Sequence, residues 1–308
     1  MNFQFPQMSA DIFHYTSENG ILGIFQKDNI VLQLTKADCM NDISEGKEIF
    51  DSLKRVCIKL HDTGKLNDER YNAILNIKDN VPETLPVGWF KRNSHQTSLD
   101  ESNLEKGEQV DSIMMTNKVC DVYLMSFCKC SDLLPMWNYY AAYGQQGYAI
   151  HFKRNTLPLL HYSKECYADV VNVIYKDSEK DKIVEEIILR SLPVHDYLKY
   201  ISDWLSVYRY QFKNSAFEYE QEVRYLVGIP QKPEKETYEI KFKTKKGSII
   251  PYIEIKLDAQ KQFTVTGVTI GPFADVELVK KNLQFYLEHQ NHYVASINIQ
   301  TTHIPVRF

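Results

Sequence analysis

The sequence contains no apolar run long enough to cross a bilayer. A membrane span needs roughly 18 to 20 consecutive apolar residues, and no stretch of the 308-residue chain reaches that length. Its first residues, MNFQFPQ, also lack the basic segment followed by an apolar segment that is typical of a secretory signal. We therefore expect a cytoplasmic protein with no membrane partner.

The cysteines and glycines lack the patterns of the common metal and nucleotide sites. The six cysteines include no C-x-x-C pair, which is the spacing that structural zinc sites use. Cys128 and Cys130 are closer together than that spacing allows. No glycine-rich phosphate loop of the dinucleotide or P-loop type is present either. We expect reduced thiols and no bound metal, and neither of those two nucleotide-binding motifs.

The chain carries no large excess of positive charge. It has 36 lysines and arginines against 40 aspartates and glutamates, and a formal net charge of −4. This balance argues against a protein that binds nucleic acid through its overall field. A local exception is the lysine cluster at positions 241, 243, 245 and 246. Such a cluster is most often a solvated hairpin, and a basic face is the alternative.

Short alternating segments and helical segments are mixed along the chain. Alternation of apolar and polar residues predicts strands at residues 12–16, 30–34, 122–128, 148–152, 167–175, 218–229, 238–242, 249–255, 265–270 and 295–301. Helical spacing predicts helices at about residues 49–64, 68–77, 109–117, 135–144, 177–191, 193–214 and 276–289. Because strands and helices do not alternate strictly, we predict the α+β class with a mixed or antiparallel sheet.

One histidine lies where a strand is predicted to meet a helix. Residues 12–16 read as a strand, and a helical pattern follows, so the change should fall near Ser17 or Glu18. Ser17 can cap the helix, and His14 would then lie beside exposed backbone amides that suit a phosphate or a ribose. A histidine in a strand is more often structural, so this segment alone does not define a site.

Two glutamates and an arginine form an E-x-E-x-R pattern. On a strand over residues 218–229, Glu220, Glu222 and Arg224 would share one face, and Val223, Tyr225 and Val227 the other. Carboxylates two residues apart on a strand lie about 7 Å apart, and each raises the proton affinity of the other unless a cation compensates. The pattern indicates either a solvated face with an ion pair or a catalytic pair of acids.

Three separated motifs together resemble a bacterial protein family known as domain-of-unknown-function family 2971. They are H-Y-T-S at residues 14–17, S-F-x(8)-M-W-x-x-Y at residues 126–140, and F-K-x-x-x-F-x-x-E-x-E-x-R at residues 212–224. The resemblance covers nearly the whole chain. That family in turn resembles the ADP-ribosyltransferase superfamily, whose site is assembled from three separated strands.

The resemblance implies a fold and a co-substrate. The expected fold is a single ADP-ribosyltransferase-like domain over residues 1–308, with a split mixed or antiparallel sheet that holds NAD in its cleft. Helical insertions are expected at about residues 42–118 and 176–215. NAD enters the expected reaction as co-substrate, without a metal.

The resemblance also implies roles for individual residues. Glu222 is expected to stabilise the positively charged ribose as the nicotinamide leaves, and Glu220 to orient or deprotonate the acceptor, although these two roles can be exchanged. Arg224 can either pair with the carboxylates or bind the pyrophosphate. The other residues expected to contact NAD are His14, Tyr15, Thr16, Ser126, Tyr139 and Tyr140, of which either Tyr139 or, preferably, Tyr140 stacks on the nicotinamide.

The function implied is an NAD-dependent ADP-ribosyltransferase that modifies nucleic acid, more often RNA than DNA. Uncontrolled activity of this kind harms the host, so a toxin or phage-defence effector with an antitoxin or a trigger is expected. Alternatives are an NAD hydrolase, a protein-modifying transferase and an enzyme that removes an RNA 2′-phosphate. From a different class, the chain could be a non-catalytic module that binds nucleotide or nucleic acid.

Overall fold

The computed structural model describes residues 11–40, 46–77, 85–86, 119–140, 145–161, 166–234, 236–245, 247–258, 264–272, 275–292 and 297–305. The predicted helix at residues 109–117 lies outside these ranges. Residues 42–45, at the start of the first predicted insertion, also lie outside them, as does most of that insertion after residue 77. The described part combines strands and helices in a mixed sheet, so the predicted α+β class is confirmed.

The strands of the described residues join one sheet. They are β1 (Asp11–Ser17), β2 (Phe25–Gln26), β3 (Asn29–Lys36), β4 (Leu85–Pro86), β5 (Val119–Cys128), β6 (Gly147–Lys153), β7 (Tyr167–Asn172), β8 (Glu222–Pro230), β9 (Ile240–Lys245), β10 (Ser248–Asp258), β11 (Val265–Ile270) and β12 (Asn298–Thr301). The order is β12-β11-β6-β1-β5-β3-β10-β9, while β8 pairs with both β5 and β7. The β11–β12 pair is parallel and its neighbour β11–β6 is antiparallel, which makes the sheet mixed.

The sheet branches at β5. Along one edge, β5 pairs with β8 over its whole length, from Cys120 to Cys128. On its other edge, β1 pairs with β5 through Phe13 and Cys128, and β3 pairs with β5 through Thr35–Leu124 and Lys36–Tyr123. The first arm (β1, β6, β11, β12) and the second arm (β3, β10, β9) therefore leave the same edge of β5 at neighbouring points. We call the place between them the seam.

The helices follow the sequence pattern closely. They are α1 (Glu18–Ile24), α2 (Glu48–Asp62), α3 (Asp68–Leu75), α4 (Leu134–Tyr140), α5 (Asp177–Ser191), α6 (Tyr197–Arg209) and α7 (Val276–His289), with 3-10 segments at Ala37–Cys39, Arg154–His161 and Ser215–Glu220. The predicted bounds of α5 and α7 are confirmed to the residue. The change from strand to helix at Ser17 is also confirmed, because its hydroxyl accepts a hydrogen bond from the Gly20 amide.

Buried clusters of apolar side chains form the central core and a layer of helices. The central core lies on one face and includes Ile12 of the first arm, Ile255 of the second, and Phe127 and Val223 between them. The second cluster joins α2 and α3 to α5 and α6, so helices from both predicted insertions form one layer. A smaller cluster, through Val207 and Leu226, places this helical layer near the other face of β8. Each fully buried side chain of this size contributes roughly 1.5 to 3 kcal/mol.

The start of β8 differs from the sequence prediction. Residues 218–220 were expected to belong to this strand, but they form the end of the 3-10 segment Ser215–Glu220. Gln221 then takes a left-handed conformation with φ of 46°, and β8 begins at Glu222. A left-handed residue interrupts strand geometry. The alternating residue pattern therefore runs through residues 218–229 of the sequence, but the strand itself does not extend back beyond Glu222.

Two further observations concern the described residues. None of their helices has the length and apolar character to cross a membrane. None of the six cysteines, all of which lie in the described part of the chain, forms a disulfide.

Candidate functional site

Strand register places Ser126, Glu222 and Arg224 on one face of β5 and β8. Ser126 is the Cα partner of Arg224, and Cys128 is the partner of Glu222. Because partners in an antiparallel pair point to the same side of the sheet, these side chains lie together and opposite the central core. We call Ser126, Glu222 and Arg224 the charged face.

The carboxylate of Glu222 is buried and is surrounded by donors. Ser126 Oγ donates to Oε1 over 2.6 Å, and Arg224 contacts both oxygens, through Nε at 3.0 Å and Nη2 at 3.2 Å. Lys213 Nζ donates to Oε2 over 2.9 Å. The backbone amide of Glu222 donates to the Tyr175 hydroxyl over 2.8 Å. The residue is only 4% exposed, so these partners replace water almost completely.

The two cations decide the ionisation of Glu222. Burial alone would raise the pKa of this carboxyl, but the charges of Arg224 and Lys213, with the hydrogen bonds from Arg224 and Ser126, outweigh it and lower the pKa to about 2. The carboxylates of Glu222 and Glu220 in turn outweigh the effect of burial on Lys213 and raise the pKa of its ammonium. Glu222 is therefore ionised at neutral pH.

Glu220 reaches the same place from a different element. It ends the 3-10 segment Ser215–Glu220, and its Oε2 accepts a short hydrogen bond from Lys213 Nζ. Its side chain is 21% exposed, compared with 5% for the side chain of Glu222. Two acids of unequal exposure therefore meet at one ammonium, and Glu220 is the one that solvent can reach more easily.

Tyrosines surround the acid pair. Burial, and then the charges of Glu220 and Glu222, raise the pKa of the Tyr140 hydroxyl, which indicates that this hydroxyl lies near both acids. The Tyr140 ring stacks against Tyr15 with a centroid distance of 6.2 Å. Tyr139 is 64% exposed, and its hydroxyl lies 2.8 Å from that of Tyr219. Of the two tyrosines expected to stack on the nicotinamide, Tyr140 packs against Tyr15, whereas Tyr139 is exposed.

Tyr15 and Thr16 lie inside the protein. Tyr15 is 3% exposed, and its hydroxyl donates to the Cys130 carbonyl and accepts from the Leu133 amide. Thr16 is 7% exposed and packs on the first turn of α1, where a Cβ at Gly20 would lie 1.8 Å from its Oγ1. In this structure both side chains hold β1 against its neighbours, with Tyr15 on the side of the acid pair.

His14 reaches Ser126 from the other face of the sheet. Phe13 is the partner of Cys128, so alternation places the neighbouring His14 on the side of Phe127, whose ring it meets edge-on at 5.7 Å. His14 Nδ1 lies 3.0 Å from the Ser126 carbonyl oxygen. Burial lowers the pKa of the imidazole, so the ring is neutral. Because a carbonyl only accepts, Nδ1 carries the proton and Nε2 is left as an acceptor.

Ser126 thus links two other predicted site residues, His14 and Glu222. Its carbonyl contacts His14 of β1, and its hydroxyl contacts Glu222 of β8. Arg224 is fully buried, and in this structure it donates to Glu222 and to the Tyr210 carbonyl.

Sequence reasoning missed two residues of this site. Lys213 belongs to the F-K-x-x-x-F motif but was given no role, although a lysine near two glutamates is a signal for a compensating cation. Tyr175 carries no such signal, because only the pairing of β7 with β8 brings it to the Glu222 amide.

A cavity of about 390 Å³ lies elsewhere, between the helical layer and the start of the 3-10 segment Ser215–Glu220. Its polar lining includes Glu48, Arg55 and Asp177, together with Asn214. Glu48 is held there by the fully buried Lys180 at 2.9 Å. This cavity approaches the acid pair through Asn214, the neighbour of Lys213.

Comparison with known proteins adds one match. Residues 136–225 match the family model described as protein of unknown function DUF2971. The predicted resemblance to this family is confirmed over these 90 residues. The DUF2971 match extends from α4 into β8, so it includes Lys213 and the E-x-E-x-R pattern, whereas His14 and Ser126 lie before it. No curated protein and no solved structure matches the chain.

Proposed function

We propose that this DUF2971 protein is an NAD-dependent ADP-ribosyltransferase. The observation that supports the proposal is the contact of His14 and Glu222 with one residue, Ser126, across the neighbouring strands β1, β5 and β8. An ADP-ribosyltransferase site is likewise assembled from three strands, which supply a histidine or arginine, a hydroxyl or aromatic group, and a glutamate. The branching of the sheet at β5 is one reason to propose a split sheet.

The acid pair has the charge that this reaction requires. When the bond between ribose C1′ and the nicotinamide nitrogen breaks, its electron pair stays on the nicotinamide and positive charge develops on the ribose. A fixed carboxylate beside that charge lowers the barrier. Glu222 is ionised at neutral pH and is oriented by Ser126. A ribose hydroxyl can replace the Ser126 hydroxyl on Oε1, because both donate an O–H.

We assign Glu220 to the acceptor. Its carboxylate is more exposed than that of Glu222. As the acceptor oxygen or nitrogen bonds to C1′, its proton passes to Glu220, which acts as general base. With water as acceptor, the same groups would hydrolyse NAD.

The remaining groups have the chemistry to contact NAD. His14 offers Nε2 as an acceptor for a ribose hydroxyl or the nicotinamide amide, and Tyr140 offers an aromatic ring beside the acids. Because His14 and Glu222 approach Ser126 from opposite faces, the binding of one NAD molecule to both requires an opening at the seam between the two arms. We further propose, from the family resemblance alone, that the acceptor is RNA and that the protein is a toxin or defence effector held inactive by an antitoxin or trigger.

The test is transfer of label from NAD. Purified protein is incubated with NAD labelled in the ADP-ribose portion, and separately with RNA, single-stranded DNA and a cell extract. We expect retention of label on RNA, and a loss of about a hundredfold or more in rate for Glu222→Gln, which keeps size but removes charge. Glu254→Gln is the matched control, since Glu254 also pairs with a lysine, Lys241, but on the remote β9–β10 hairpin.

Two outcomes contradict this proposal. The first is unchanged NAD consumption by Glu222→Gln, and the second is the absence of any NAD consumption by the wild type with all acceptors. Ser126→Ala supports the interpretation if Glu222→Gln folds poorly, because it removes one oriented hydroxyl and leaves the ion pairs intact. We expect it to lower the rate about tenfold.

A specific observation favours a second candidate, a non-catalytic module that binds nucleotide or nucleic acid. Glu222 is buried and neutralised by two cations, as in structural ion pairs. This candidate predicts that the wild type binds NAD or RNA without turnover, and that His14→Ala weakens binding while Glu220→Gln does not. Calorimetric titration of the wild type and these two variants separates it from the enzyme.

A further inference from the structure

Lys213 connects the two acids of the site. Its Nζ donates to Glu220 Oε2 and, over 2.9 Å, to Glu222 Oε2. Its side chain is only 10% exposed and passes over the ring of Phe217 at 5.1 Å. One ammonium is therefore shared by two carboxylates in a place that water hardly enters.

The backbone of Lys213 is fixed from both sides. Its amide donates to the Ile174 carbonyl over 3.2 Å, next to the fully buried Phe212. On the other side, Asn214 Nδ2 donates to Glu48 Oε1 over 2.9 Å. Glu48 is in turn held by Lys180 in the helical layer. The position of the Lys213 ammonium is thus set by contacts outside the acid pair.

The acid pair needs such a contact because its members belong to different elements. Gln221 separates them and takes the left-handed conformation, so the hydrogen bonds of β8 fix Glu222 but do not reach Glu220. Two carboxylates at this proximity repel each other. Arg224 lies within β8 and pairs with Glu222, whereas Lys213 contacts both acids.

We propose that Lys213 is the positioning residue of the acid pair, holding the carboxylate of Glu220 beside that of Glu222. Its effect on catalysis rests on the proposed function, while its effect on the acids themselves does not. Besides Lys213, the groups that face Glu222 are Arg224 from β8, Ser126 and Cys128 from β5, Tyr175 following β7, Tyr140 from α4, and Glu220 from the 3-10 segment. Without Lys213, Arg224 is the cation that remains among them, and Glu220 becomes a repelling neighbour.

The first experiment measures activity against pH. In Lys213→Met, we expect kcat/KM for NAD to fall about a hundredfold and the acidic limb of the pH profile to move up by about one pH unit or more. Lys213→Arg keeps the charge and should retain the wild-type limb. Lys241→Met is the matched control, because it removes the Lys241–Glu254 pair, 2.7 Å long, far along the second arm. A purely structural role would change the rate without moving the limb.

The second experiment needs no activity. Carbon-13 labelled glutamate side chains are titrated by NMR in the folded protein, and the Glu222 signal is assigned by its loss in Glu222→Gln. We expect the pKa of Glu222 to rise in Lys213→Met by about one unit or more and to stay low in Lys213→Arg and Lys241→Met. If Lys213→Met does not fold, Glu220→Gln replaces it. There the repelling acid is removed while Lys213 remains, so the pKa of Glu222 should not rise.

The outcomes are distinguishable. If the wild type consumes no NAD, the proposed function fails and the titration alone decides the role of Lys213. An unchanged pKa of Glu222 in Lys213→Met, or a rise in Glu220→Gln, would overturn the positioning role even in an active enzyme. Increased activity of Lys213→Met would also overturn it, because it would make the ammonium an obstacle to catalysis.

Discussion

Around Glu222 and Arg224, the two faces of β5 and β8 are equally buried but are built from opposite chemistry. Phe127, Val223 and Tyr225 on one face are at most 3% exposed, and Glu222 and Arg224 on the other are at most 4% exposed. The apolar residues need only neighbours of suitable shape. The charged residues each need a specific partner, because an unpaired charge in this environment costs several kcal/mol.

This difference indicates which face accounts for the stability of the fold. A buried ion pair seldom stabilises a fold more than apolar side chains of similar volume would. The central core therefore accounts for the stability of β8, and the charged face needs another reason. Glu222 on this face, its partners Ser126 and Lys213, and the surrounding tyrosines are the groups that we assign to NAD chemistry.

The largest effect should come from removing the cation of the charged face. Arg224→Met leaves the buried Glu222 with one cation and removes the bond to the Tyr210 carbonyl. We expect the free energy of unfolding to fall by about 3 to 5 kcal/mol, measured by urea denaturation at pH 7. The double variant Arg224→Met with Glu222→Gln should recover part of this loss. A loss below about 1 kcal/mol, typical of a surface pair, would mean that the two faces do not differ in this way.

The next effect is the dependence of stability on pH. The pKa of Glu222 lies at about 2 in the folded protein, below its ordinary value of 4.5. The folded state thus favours the ionised form, so this contribution is complete above about pH 4.5 and is lost as the pH falls towards 2. Between these limits, the wild type should lose about 3 kcal/mol more than Glu222→Gln. If the free energies of unfolding of the two proteins changed equally with pH, the buried, paired state of Glu222 would be contradicted.

The smallest of these effects should come from the apolar face. Val223→Ala removes two buried methyl groups from the central core and should lower the free energy of unfolding by about 2 kcal/mol. Since no charge changes, the loss should be the same at pH 7 and at pH 4. Denaturation at both values tests this. A loss that depends on pH would show that the substitution disturbs Glu222 across the strand, and the two faces would then not be independent.

Local pattern was sufficient for elements whose ends carry their own signals. The bounds of α5 follow from acidic residues in its first turn and Arg190 in its last, which suit the helix dipole. Ser17 marks the start of α1 because a hydroxyl at that position can accept from an otherwise unpaired amide. These features depend on residues within one turn, so the sequence contains them directly.

The candidate site depends on distances that the sequence does not contain. Glu220 continues the alternating pattern of β8, and only its contact with Lys213 and the backbone of Gln221 place it in a 3-10 turn. The side of the sheet that His14 faces depends on the pairing of Phe13 with Cys128, more than 100 positions away along the chain. A shift of that pairing by one residue would reverse it.

The joining of the first arm to β5 has a mechanical consequence. Between β1 and β5 the ladder has one pair of Cα partners, Phe13 and Cys128, with the His14–Ser126 bond beside it. Two strands joined by one pair of partners can move relative to each other, while the long β5–β8 ladder stays rigid. Amide hydrogens near Phe13 should therefore exchange with solvent sooner than those in the middle of β8. A molecule bound beside the Phe13–Cys128 pair should slow the exchange of these amides before that of any others.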